Sequence, residues 1–190
     1  MVLPVYDRVY DRTTIAFHWL TVALVLSLWS IAQIWGFLPR GTALRHGLQW
    51  LHVGLGLFFI VVLLARLLWR ATAGRRLAPP PGARLVALAA RAVHGALYGL
   101  LLAMAVTGPL NRWAAGDPLG VPGVFTIPAP FAASKALAHR INDIHGTIAI
   151  ALLTLAALHA AAALIHHFLW RDDVLTRMLP RLPTRRAEGG

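Results

Sequence analysis

The chain has 190 residues, 58% hydrophobic and 13% charged, with a mean hydropathy of +0.64 and no cysteine. It is far too apolar for an ordinary soluble domain and long enough for one compact bundle. The missing thiols exclude disulfides, iron–sulfur ligation and thiol-linked cofactors. A net charge of +11 admits nucleic acid on composition alone, so the placement of the charge has to decide.

In chain order, a tail with Asp7, Arg8, Asp11 and Arg12 leads into a first apolar run, Thr14–Trp35. Its mixed charges, the His18 inside it and the lack of a small-residue cleavage site make this run a retained span, not a cleaved signal. Further runs follow at Leu48–Trp69, Ala89–Leu110 and Ile144–Trp170. Each is rich in Leu, Ala, Val, Ile and Phe and reaches the roughly 20 residues that cross a bilayer as a helix. In lipid the backbone must be satisfied within each segment, which selects helices. The expected fold is therefore an all-α integral membrane protein, a bundle of four transmembrane helices over 1–180 with a basic tail over 181–190.

The links differ in charge. The N-terminal tail, the Arg66–Arg91 link and the C-terminal tail hold thirteen of the eighteen basic residues; Arg40, Arg45, Arg112, Lys135 and Arg140 occupy the other two links. This positive-inside bias predicts a multi-pass membrane protein with both termini cytoplasmic. The basic excess is then topological, and no nucleic-acid partner is expected.

Histidines carry the chemistry. His145 and His159 lie fourteen apart in one apolar run, which returns them to within about 40° of one helical face, roughly 21 Å apart along the axis. With alternating helix directions, His18 reaches the cytoplasmic level of His159, and His52 reaches the opposite level of His145. A lone intramembrane histidine often only hydrogen-bonds across helices; four matched in depth point to function. Zinc usually needs three or four ligands at one level, whereas two imidazoles per level suit two b-type hemes.

His166 lies seven residues beyond His159, about 20° off the same face and roughly 10 Å nearer the cytoplasm. It is the candidate to hydrogen-bond a quinone carbonyl and supply a proton. His167 is turned further round, His94 has no depth-matched free partner and suggests packing or a headgroup role, and His46 and His139 fall in or near links. Gly54, Gly56 and Gly146 flank the ligand candidates and suit either a macrocycle or close helix packing. Trp19, Trp29, Trp35, Trp50, Trp69 and Trp170 sit mostly near span ends, as interface anchors do.

The segments "FHWL" (Phe17–Leu20), "LHVGLG" (Leu51–Gly56), "IHGT" (Ile144–Thr147) and "LHAAAALIHHFLWRDDVLTRMLP" (Leu158–Pro180) resemble the bacterial cytochrome b-561 family, in particular its superoxide-oxidising branch. The resemblance covers nearly the whole chain except the Leu110–Arg140 link. It implies two heme b groups, ligated by His18 and His159 on the cytoplasmic side and by His52 and His145 on the periplasmic side, with His166 at a ubiquinone site. It also implies superoxide as the outer electron donor, and Arg45 and Arg140 are the candidates for steering that anion. The alternatives are a cytochrome b subunit taking electrons from a redox donor protein of a hydrogenase or dehydrogenase complex, and a non-catalytic heme-binding membrane protein.

Overall fold

The computed structural model describes residues 9–75, 77, 84–121 and 123–179. The expected basic tail, 181–190, lies outside them, as do Arg8 and Arg76. Four long helices form the body: α1 (Arg12–Gly36), α2 (Ala43–Thr72), α3 (Arg84–Ala114) and α4 (Lys135–Phe168). All four are long and apolar enough to cross a membrane, so the chain is a multi-pass membrane protein.

Polar side chains set where the helices begin. Asp11 caps α1 by accepting from Thr14 N at 2.8 Å, Thr42 caps α2 through Arg45 N, and Ser134 caps α4 through Leu137 N. Such caps satisfy backbone donors that no helical turn can reach. They lie well before the apolar runs, so α2 starts five residues earlier than hydropathy predicts and α4 nine. His46 and His139 thus stand on helices, not in links, although both are exposed. At its other end α3 runs past Pro109 to Ala114. Proline removes one helical donor, a loss that intramembrane helices tolerate.

Side-chain ties order the two ends of the bundle. At one end, Trp69 at the close of α2 donates to Asp11 at the head of α1 (3.1 Å), and Trp19 donates to the Met178 carbonyl (2.8 Å). We call this the termini face. At the opposite end, the link between α3 and α4 folds into an antiparallel hairpin of β1 (Leu119–Val121) and β2 (Phe125–Ile127), with Gly120 opposite Thr126. A side chain at Gly120 would collide with the Phe125 backbone, so the pairing requires glycine there. This is the hairpin face.

Packing is uneven. Helix α1 packs on α2, α3 on α4, and α2 more lightly on α3, whereas α4 makes no comparable contact with α1 or α2. The buried cluster Leu24, Phe59, Val62, Leu63, Leu101 and Leu152 draws on all four helices. It sits between two histidine levels: Leu152 is seven residues from both His145 and His159, and Phe59 is seven from His52. An apolar plug thus separates two polar layers inside one bundle.

Candidate functional site

The layer near the hairpin face holds His52 of α2 and His145 of α4, close enough to interact electrostatically. His52 Nδ1 lies 3.0 Å from the Leu28 carbonyl. A carbonyl only accepts, so Nδ1 carries the hydrogen and Nε2 keeps its lone pair. His145 Nδ1 lies 2.8 Å from the Thr107 hydroxyl oxygen. That hydroxyl spends its own hydrogen on the Ala103 carbonyl at 2.7 Å, so it must accept from His145. Both imidazoles are thereby fixed as Nδ1–H tautomers with a free Nε2. Outer-shell partners orient metal-ligating histidines in the same way.

The environment of this layer is tight on one side and open on another. Trp35 stands edge-on to His52 at 4.9 Å between ring centroids, and a Cβ at Gly108 would lie 3.6 Å from His145 Cε1. By contrast, a Cβ at Gly56 or Gly146 would meet nothing within 4 Å. These two glycines do not serve close helix packing, one of the two roles expected for them. They line open space beside the ligand candidates.

The layer near the termini face gathers His18 of α1, His159 of α4 and His94 of α3 around Arg66. His94 and His159 meet edge-on at 5.1 Å between centroids. His159, the residue expected to pair with His18, is thus the neighbour of His94 at this depth. Arg66 donates to the Tyr98 hydroxyl at 3.1 Å, lies over that ring, and approaches His18 Nδ1 at 3.5 Å.

Beyond this layer, His166 Nδ1 pairs with the Asp172 carboxylate, and its ring meets Trp170 edge-on at 4.4 Å. The pair exists because the chain reverses after α4. Arg171 adopts a left-handed φ of 53° and the Asp172 amide returns to the His166 carbonyl at 3.0 Å. Burial acts to raise the Asp172 pKa, but hydrogen bonds from His166 and the Val174 amide outweigh it and hold the carboxyl below its ordinary range. Sequence reasoning missed Asp172, although an acid six residues after a histidine at a helix end was the available signal.

The two steering candidates differ. Arg140 is exposed on the first turns of α4. Arg45 is engaged: its Nη1 donates to the carbonyls of Trp35 (2.6 Å) and Leu38 (2.8 Å), closing the end of α1. Several tryptophans assigned to the interface also make tertiary contacts. Trp69 and Trp19 bind across the termini face, and Trp50 lies under the Arg112 guanidinium at 4.7 Å.

A four-helix membrane bundle with imidazoles grouped at two depths defines the class. Residues 9–181 match the family described as prokaryotic cytochrome b561. The chain is 35% identical over 175 residues to cytochrome b561 homolog 2 of Escherichia coli K12, covering 90% of each protein. It is 31% identical to cytochrome b561 homolog 1 of the same organism, over 90% of this chain and 97% of that one. It is also 28% identical to a probable superoxide oxidase CybB of Yersinia pestis, over 90% and 96%. The chain belongs to the prokaryotic cytochrome b561 family, whose members bind b-type heme and carry electrons in membranes.

Proposed function

We propose that this protein oxidises superoxide to O2 at the hairpin face and reduces ubiquinone near the termini face, which lies in the cytoplasm. The observation that carries the reading is the fixed tautomer of His52 and His145, which presents two Nε2 lone pairs at one level. Those atoms, and the imidazoles of His18 and His159 at the other level, would hold two b-type hemes. Heme supplies one-electron Fe(III)/Fe(II) chemistry, with a potential tuned by its axial ligands and low-dielectric surroundings. The open space beside Gly56 and Gly146 and the weak packing of α4 against α1 and α2 suit a flat macrocycle between these helices.

The remaining residues handle protons and charge. Two superoxide anions each lose one electron and leave as O2; the two electrons and two protons convert ubiquinone to ubiquinol. Asp172 accepts from His166 Nδ1, which orients the ring. His166 Nε2 is then the proton donor to a quinone carbonyl. The exposed Arg140 raises the local concentration of the anion at the opposite face. The Yersinia relative's name supports superoxide as donor.

The test is to supply superoxide to the purified protein with and without ubiquinone. Quinol should form only when both are present, and His166→Ala should slow quinol formation at least tenfold while superoxide still bleaches the oxidised spectrum. No reduction by superoxide would transfer the donor role to a protein partner. Unchanged quinol formation in His166→Ala would return that residue to an interfacial role.

A further inference from the structure

Two buried N–H groups in consecutive residues have no acceptor among the described residues: Arg112 Nε and Trp113 Nε1, in the last turn of α3. Buried donors are almost always satisfied, and an orphan that persists calls for a partner. Arg112 is not a loose surface charge. Its Nη1 is held by Asp117 at 3.0 Å and its guanidinium lies on the Trp50 ring at 4.7 Å. That fixes the direction of Nε while leaving it unpaired.

The position of the pair narrows what the acceptor is. Thr107 and Gly108 of the same helix flank His145, so Arg112 stands one turn, roughly 6 Å, nearer the hairpin face. Trp50 belongs to the other wall, two residues before His52. The two donors therefore lie just outside the His52/His145 layer. A guanidinium beside an indole N–H calls for an anion, and a carboxylate accepts from both with charge-assisted bonds. Because both atoms are shielded from solvent, that carboxylate has to come from a group held inside the bundle.

We propose that Arg112 Nε and Trp113 Nε1 donate to a propionate carboxylate of the heme at the His52/His145 level. The inference rests on the heme placement given under the proposed function. It assigns Trp50 and Asp117 the task of aiming Arg112, and it makes the end of α3 a clamp for the cofactor's acidic edge.

The experiment compares full-length protein reconstituted with iron protoporphyrin and with its dimethyl ester, which cannot present a carboxylate. The variants are Trp113→Phe, which keeps ring volume, Arg112→Lys, which lacks the Nε donor, and His52→Ala. Wild type should take up the ester roughly tenfold less tightly at the His52/His145 site, and either donor variant should lose most of that preference. The propionate bending band in resonance Raman spectra should shift in both variants. If one of them fails to fold, the other still reports the missing donor. Equal discrimination and an unshifted band in the variants would overturn the clamp. If His52→Ala left heme content at the wild-type level, the heme placement itself would fail, which is a separate outcome.

Discussion

Replacing Asp11 by Asn probes how the termini face is held beside His18, seven residues further along α1. The Asp11 carboxylate accepts from Thr14 N (2.8 Å), Thr14 Oγ1 (2.7 Å), Trp69 Nε1 (3.1 Å) and the Arg75 amide (3.0 Å). Burial works to raise its pKa, but these bonds prevail and lower it from 3.8 to about 2. Taken at face value, such a shift corresponds to roughly 2.5 kcal/mol at about 1.36 kcal/mol per unit. The carboxylate is mostly open to water, so screening reduces this to about 1 kcal/mol. Asparagine caps a helix about as well as aspartate, so the substitution keeps the cap while removing the charge and the second acceptor oxygen that Thr14 Oγ1 and the Arg75 amide use. Because the folded-state value lies below the unfolded one, the stabilisation is complete above about pH 4 and is lost as pH falls toward 2. Unfolding in detergent, followed by far-UV ellipticity, should show wild type more stable than Asp11→Asn by about 1 kcal/mol at pH 6. The gap should close by pH 2. A gap that persists unchanged at pH 2, or is absent at pH 6, would refute the assignment of this charge to the α1–α2 tie.

Two other predictions concern the plug and the hairpin face. Phe59→Ala, at a site only 4% exposed, should cost about 3–5 kcal/mol of stability in thermal unfolding; heme content should stay at the wild-type level, and loss of heme would contradict a plug lying between the sites. Arg140→Gln should lower the superoxide rate severalfold at low salt and flatten its salt dependence, since screening acts over about 10 Å. Arg45→Gln should in addition destabilise the fold by about 1–2 kcal/mol, because its guanidinium closes α1; equal stability of the two variants would sink that distinction.

The parts legible in sequence were those set by the bilayer. A run of about 20 apolar residues has one solution in lipid, so Thr14–Trp35 and its three counterparts each fall on a helix. A fourteen-residue spacing on one helix likewise places His145 and His159 near one face at two separate depths. What hydropathy could not reveal were features built outside the hydrocarbon. The Ser134 cap starts α4 nine residues before its apolar run, and the hairpin after α3 depends on glycine at one crowded position. The Asp172–His166 pair needs a left-handed turn at Arg171. Arg45 looked like a free charge in the sequence because carbonyl acceptors at a helix end leave no sequence signal.

If one chain holds two hemes, each between two histidines at its own depth, single-histidine variants should each lose one of them. A pyridine hemochrome assay against protein concentration, on wild type and on His18→Ala, His159→Ala, His52→Ala and His145→Ala, tests it most directly. Wild type should hold two hemes per chain and each variant one, and native reduced-minus-oxidised spectra should lose the same component in His18→Ala and His159→Ala and the other in His52→Ala and His145→Ala. One heme per wild-type chain, or a variant that retains both, would contradict it.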